Sequence, residues 1–209
     1  MIRVCVVDDH AVVREGLKRI ISENPGMAVM AEAGDGAEAL RIVQSKPFDV
    51  VVLDITMPDK NGLDVLKQLH ASSPTLPVLI LSVHAEDQYA VRMLRAGAAG
   101  YLTKESAPAR LVQAIRKVAR GGKYVSTAVA DKLAVQAGPN LSKAPHELLS
   151  DREYQVLCMI ASGKTVTLIA EELGLSVKTV STYRVRILEK LAMQNSAELT
   201  HYAIKEGLV

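Results

Sequence analysis

Asp8-Asp9, Asp54, Ser82 and Lys104 each stand where a short β-branched or apolar run ends, and together their types suit one chemistry. Three carboxylates brought together repel and raise one another's pKa. A hard divalent cation relieves that repulsion, and Mg²⁺ suits two or three carboxylates completed by water. Such a site can take up a phosphate oxygen, and the Asp54 carboxylate can then attack phosphorus to give an aspartyl phosphate. Phosphoryl transfer needs its equatorial oxygens neutralised, for which the cation, the Lys104 ammonium and the Ser82 hydroxyl are suitable groups. Taken singly, each residue has a plainer reading. The Asp pair could be a turn and helix cap, Ser82 another cap, and Lys104 a solvated surface lysine. Only convergence makes a site.

The elements that must produce convergence are legible. Val50-Val51-Val52-Leu53 is continuously apolar, as in a strand buried on both faces of a parallel sheet. Asp54 ends it, Met57-Pro58 forces an extended turn, and Asn61-Gly62 lets the chain reverse. Arg3–Val7, Met27–Ala33, Pro77–Leu81 and Gly100–Thr103 are the other strands. Helical apolar spacing fills the intervals at 10–24, 36–45, 63–69 and 86–95, and from Pro108 to Arg120, where Gly121-Gly122 stops it. Strands alternating with helices imply right-handed crossovers and a doubly wound, five-stranded parallel sheet. All strands then point one way, so the four strand ends carrying these residues share the carboxyl side, where open α/β sheets bind ligands. His10 and His84 flank the set and are assigned to helix-start or loop roles.

These residues resemble the receiver domain of bacterial two-component response regulators over about residues 1–122: Asp8-Asp9, Asp54 followed by Met57-Pro58 and Gly62, then Ser82 and Lys104. The resemblance implies a flavodoxin-like fold with Asp54 as phosphoryl acceptor. It implies Mg²⁺ held by Asp9 and Asp54 directly, by Asp8 through water, and by the backbone carbonyl of Thr56. Ser82 and Lys104 become phosphoryl contacts, and Tyr101 the aromatic that swings inward when Ser82 moves. One position departs from the pattern: Glu105 follows Lys104 where many receivers carry a cis proline. A cis bond without proline costs about 3–4 kcal/mol, so a trans bond is expected.

Residues 123–147 contain a helical stretch from Ser126 to Gln136, then Ala137-Gly138-Pro139-Asn140 and a short polar segment, which read as a linker. From 148 to 209 the strand signals vanish. Ser150-Asp151-Arg152-Glu153 is a capping box opening a helix with Val156, Leu157, Ile160 and Ala161 inward. Thr165 caps a short helix through Leu173, Gly174 stops it, and Ser176 caps the next helix, which gives helix-turn-helix spacing. Along 177–191, Val180, Ile187 and Leu191 share one face. Lys178, Ser181, Thr182, Val185 and Arg186 spread over the other, and they are groups a DNA major groove accepts. Lys178, Arg184, Arg186 and Lys190 against Glu189 give that helix +3, although 148–209 holds seven basic and seven acidic residues. DNA affinity must therefore come from a local stripe.

Leu149-Ser150, Arg152-Glu153, Val156-Leu157, Ile160-Ala161, Gly163, Ile169-Ala170, Ser176, Lys178-Thr179-Val180, Lys190-Leu191 and Ala197-Glu198-Leu199 resemble the LuxR-type DNA-binding domain. With a receiver in front, the chain is similar to the NarL/FixJ group of response regulators. That resemblance implies base or phosphate contacts by Lys178, Thr179, Ser181, Thr182, Arg184 and Arg186. Its implied partners are a sensor histidine kinase, double-stranded promoter DNA and a second copy of the phosphorylated chain. Leu168 departs from it, because that position is usually polar.

Composition narrows the rest. The formal charge of +2 rules out a polycation, and sparse aromatics without tryptophan disfavour base stacking on single strands. Cys5 and Cys158 lie far apart inside apolar runs and read as buried free thiols. No leader or membrane-spanning run is evident, so a cytoplasmic protein without membrane contact is expected. The expectation is a phosphorylation-controlled DNA-binding transcriptional regulator and not a multiple-turnover enzyme. A phosphatase-like aspartyl nucleophile is disfavoured because Asp54-Ile55-Thr56 lacks a second acid two residues on. A constitutive DNA-binding protein using its receiver only to dimerise is the alternative.

Overall fold

A computed structural model describes the chain except residues 58–61, 84–85 and 137–143. Pro58, Asn61, His84 and the break at 137–140 therefore lie outside the described residues. The chain divides into two units, Met1–Lys132 and Leu133–Val209.

In the first unit the elements alternate: β1 (Ile2–Val7), α1 (Ala11–Ser22), β2 (Met27–Ala33), α2 (Gly36–Ser45), β3 (Val50–Asp54), α3 (Gly62–Ser72), β4 (Val78–Ser82), α4 (Glu86–Arg95), β5 (Gly100–Thr103) and α5 (Ala107–Ala119). The five strands are parallel, in the order β2-β1-β3-β4-β5. Strand residues alternate between two faces. Val4, Val6, Val50, Val52, Leu79, Leu81 and Leu102 pack with Leu17, Ile21, Leu111, Ile115 and Val118 of α1 and α5. Cys5, Val51, Leu53, Ile80 and Tyr101, their alternates, are equally buried. The expected doubly wound sheet is thus the observed one.

Register aligns the strand ends. Val7 pairs with Leu53, Asp54 with Leu81, and Ser82 with Thr103. The chain order reverses direction between β1 and β3, so the ends of those two strands open on the crevice beside which such sheets place ligands. Gly62 makes the return from β3 possible, since a Cβ there would lie 2.4 Å from Ile55 Cα and 2.5 Å from the Asp54 carbonyl oxygen. After α5 the chain folds back beside β5. Tyr124 N–H donates to the Ala99 carbonyl at 3.0 Å, and Tyr101 N–H donates to the Tyr124 carbonyl at 3.0 Å. Gly100 is needed for this approach, because a Cβ there would stand 2.6 Å from the Tyr124 oxygen. Nothing in the periodicity announced this strap.

α6 (Thr127–Gln136) matches the helical stretch expected within the linker. The second unit adds a 3-10 turn (Pro145–Leu148), α7 (Asp151–Ala161), α8 (Val166–Glu172), α9 (Val177–Leu191) and α10 (Ser196–Lys205). The caps follow the sequence. Ser150 and Glu153 form the reciprocal capping box, Thr165 accepts from Leu168 N–H, and Ser176 accepts from Thr179 N–H. Val156, Leu157, Ile169, Val180, Ile187, Leu199 and Ala203 are buried. Sequence periodicity did not bring out α10 as an element, nor the 3-10 turn, whose His146 meets the Tyr202 hydroxyl at 2.9 Å.

Candidate functional site

Asp54 is the last residue of β3, Ser82 the last of β4, and Asp8 and Lys104 directly follow β1 and β5. Aligned register therefore gathers them. Asp8, Asp54 and Ser82 are buried polar side chains in a core otherwise apolar. The Lys104 ammonium lies 2.8 Å from Asp54 Oδ2 and 2.7 Å from Asp8 Oδ2. Its backbone N–H donates to the Ser82 carbonyl at 2.7 Å, which fixes where the lysine leaves β5. Thr56 N–H donates to Asp54 Oδ1 at 3.0 Å. His10 N–H donates to Asp8 Oδ1 at 2.8 Å, and Arg14 Nη1 donates to the Asp8 carbonyl at 2.7 Å.

Electrostatics follow from this packing. Burial pushes the Asp54 carboxyl up to about 6, against the opposing pull of Lys104 and the Thr56 N–H. Burial acts to lower Lys104, yet the adjacent Asp54 and Asp8 carboxylates outweigh it and hold the ammonium above its ordinary value. The cluster thus keeps one positive charge beside two buried carboxyl groups. Ligand atoms from Asp8, Asp9, His10 and Asp54 all lie within 4.8 Å of one another. Three carboxylates at that separation fit a hard divalent cation by donor chemistry. Thr56 Oγ1 is buried without a hydrogen-bond partner in the same region of chain.

Tyr101 lies wholly inside the sheet. Among the described residues there is no cis peptide bond, so the Lys104–Glu105 bond is trans, as glutamate at that place requires. Sequence reasoning gave His10 only a helix-start or loop role. It is the N-cap of α1 but makes no side-chain capping bond, and its ring turns to the acids instead. The adjacency Asp8-Asp9-His10 was the available signal. Cys5 and Cys158 are buried free thiols, and burial raises Cys5 to about 12, which leaves it unreactive.

On α9 the structure sorts the candidate DNA contacts. Lys178, Ser181, Thr182 and Arg186 are exposed, with Val185 between them at 51% exposure. Thr182 Oγ1 donates back to the Lys178 carbonyl, and Thr179 Oγ1 sits 2.8 Å from the Ser176 hydroxyl within the cap. Arg184 lies apart, half-buried, with Nε donating to Ser196 Oγ at 2.7 Å. Lys190 is bound 2.6 Å from Glu153, a buried carboxylate held below its ordinary pKa by Lys190 and the Ser150 N–H despite the cost of burial. The sequence count of +3 therefore overstates the outward stripe. Leu168 stands exposed on α8.

Residues 4–116 match the response regulator receiver domain family, and residues 147–203 match the bacterial regulatory proteins of the luxR family. Response regulator UvrY of Escherichia coli K12 is 40% identical over 209 residues, covering 100% of this chain and 96% of that protein. Response regulator GacA of Pseudomonas viridiflava is 42% identical over 210 residues, covering 100% of this chain and 98% of that protein. Among solved structures, an RcsB response regulator–DNA complex is similar at 25% identity with a TM-score of 0.59, covering 96% of each chain. Receiver and luxR-type matches in this order, with relatives aligned along the whole chain, agree with the gathered strand ends and the capped helix-turn-helix. The chain belongs to the two-component response regulators of the NarL/FixJ group, which are phosphorylation-controlled DNA-binding transcriptional regulators.

Proposed function

We infer that Asp54 accepts the phosphoryl group and that Asp8, Asp9, Asp54 and the Thr56 carbonyl hold Mg²⁺ beside it. The observation that carries this reading is the Lys104 ammonium within 2.8 Å of the Asp54 carboxylate at the aligned strand ends. A sensor histidine kinase is the donor. An Asp54 carboxylate oxygen attacks phosphorus of the phosphohistidine, the P–N bond breaks, and the imidazole leaves with the electron pair. Lys104 releases Asp54 and turns its charge to the phosphoryl oxygens, while the Ser82 hydroxyl donates to another. Bound Mg²⁺ supplies charge neutralisation on those oxygens. Asp54 later loses the group to water, so the receiver takes one phosphoryl group per activation and is not a multiple-turnover enzyme.

Rearrangement of Ser82 and Tyr101 shifts the receiver, 1–122, between two packings, and the linker, 123–147, passes this to the DNA-binding domain, 148–209. A homodimer then sets two copies of α9 on promoter half-sites about one helical turn apart, ~34 Å. Lys178, Thr179, Ser181, Thr182, Arg184 and Arg186 meet bases or phosphates there. The solved RcsB–DNA complex supports DNA as the partner of this chain's like-placed domain. Action is in the cytoplasm, where promoter DNA lies; no described helix is long and apolar enough to cross a membrane.

Intact mass after incubation with Mg²⁺ and a small acyl phosphate tests the acceptor. One phosphoryl adduct is expected on the natural chain and none on Asp54→Ala. An adduct that persists in Asp54→Ala would refute the assignment, and promoter affinity unchanged by phosphorylation would refute the switch.

A further inference from the structure

We propose that the outward face of α5 is a second nucleic-acid surface, which binds the phosphate backbone of DNA and adds to the hold of the second unit. The inference rests on DNA being the partner of residues 148–209. Residues 106–130 hold five basic residues, Arg110, Arg116, Lys117, Arg120 and Lys123, and no acid. Elsewhere in 1–147 acids outnumber bases, 16 to 13, so this run is a local concentration of charge. At 100° per residue, Arg110, Arg116, Lys117 and Arg120 fall on one side of α5, opposite the buried Leu111, Ile115 and Val118. All four are exposed, and none makes an ion pair among the described residues. Arg116 reaches the Pro25 carbonyl at 3.4 Å and Lys117 lies 5.8 Å from the centroid of the Tyr124 ring, contacts that neutralise no charge. On the neighbouring α1, Glu15 and Glu23 are taken by Lys18 and Arg19.

Charge selects the occupant. Of the seven cations in 148–209, Arg152, Lys164, Arg184 and Lys190 are engaged with Gln155, Glu172, Ser196 and Glu153. Lys178, Arg186 and Lys205 are left for phosphates, in a domain without net charge. Affinity for DNA grows with each phosphate neutralised, because every such contact releases counter-ions. From Arg110 to Arg120 the helix runs about 15 Å, a length over which a duplex carries roughly nine phosphate charges. A second copy of the chain fits this face poorly, since a two-fold contact centred on it would set like charges together. An anionic membrane would call for apolar side chains among the cations, and the residue between them here is Gln113.

The test uses the full chain and a fluorescent duplex several helical turns long and of arbitrary sequence. Anisotropy titrations over a range of NaCl give the slope of log affinity against log salt. Arg110→Gln/Arg120→Gln should lessen that slope by about two units per bound chain and weaken binding at least about tenfold. The matched pair Arg41→Gln/Lys46→Gln, which takes two exposed cations from α2, should change binding less than about twofold. Charge-keeping Arg110→Lys/Arg120→Lys should bind as the natural chain does. Phosphoryl uptake at Asp54 and the melting temperature should stay unchanged in all three. Equal losses from the α5 and α2 pairs would overturn the proposal, since overall charge alone would then be at work. So would an unchanged slope in Arg110→Gln/Arg120→Gln, with self-association in sedimentation or binding to phosphatidylglycerol vesicles lost instead. A loss with Lys178→Ala but none with the α5 pair would leave the DNA reading standing and remove this one. If the natural chain bound no duplex, the DNA reading itself would fall and this inference with it.

Discussion

Asp54 carries a consequence that its burial alone produces. Its carboxyl is raised to about 6 in the folded chain, whereas an unfolded aspartate titrates near ~3.9. Folding therefore favours the protonated form. The stability that Asp54 contributes is full below pH ~4 and is lost as pH rises through about 6. Asn at this place is neutral throughout, so in cation-free buffer Asp54→Asn should gain on the natural chain as pH rises. The stability difference should grow by up to about 3 kcal/mol between pH 4 and 7.5, as measured by urea unfolding. Lys104→Met removes the ammonium that now occupies the two buried carboxylates. Mg²⁺ should then bind several-fold more tightly, while phosphoryl uptake from an acyl phosphate falls at least about tenfold, because a charge on the transferring oxygens is gone. Residue types and strand-end positions were enough to select Asp54, Ser82 and Lys104 from sequence. The turn of the His10 ring was not legible, since a helix-start residue can face solvent or site with the same periodicity.

Elements were readable where a local rule acted alone. Ser150, Thr165 and Ser176 cap the helices that their spacing suggested, because a cap depends on residues three apart. α10 obeys the same local rule, Asn195 accepting from Glu198 N–H, and that pair was the signal that periodicity alone passed over. The 3-10 turn depends on a distant partner, His146 being fixed to Tyr202, and Arg184 is likewise tied to Ser196. Such contacts leave no periodic trace. The same contacts give α9 two kinds of cation. Lys178→Ala should weaken promoter binding and reduce the salt dependence by about one unit of slope if it meets a phosphate, with the melting temperature unchanged. Arg184→Ala should lower that melting temperature as well, because it frees the start of α10. In the other unit, Gly62→Ala drives a methyl group into the Ile55 and Asp54 backbone. It should cost about 3 kcal/mol or more in urea unfolding, and phosphoryl uptake should fall in the fraction that remains folded.

For the whole molecule, alternating strands and helices give way to helices alone, and that change makes a two-unit chain visible in the sequence. A near-neutral total hid the useful charge, which resides in a short stripe of α9, on the outward face of α5 and in one lysine among buried acids. Where the first unit ends was harder to see, because Gly121-Gly122 closes α5 and looks like a stop. The strap through Tyr124 lies just beyond it. β5 is the outermost strand on its side, and its outward N–H and C=O groups would otherwise invite pairing with another chain. On the opposite margin β2 is guarded differently, by Arg14 and Lys18 gathered on Glu32. A receiver fragment cut after residue 122 should therefore self-associate through a bared β5, and light scattering should show aggregates growing with concentration. A fragment cut after residue 126 should stay monomeric in the absence of phosphate. Tyr124 thus works as a built-in stopper against amyloid-like stacking, and the glycine at 100 is what lets the stopper seat.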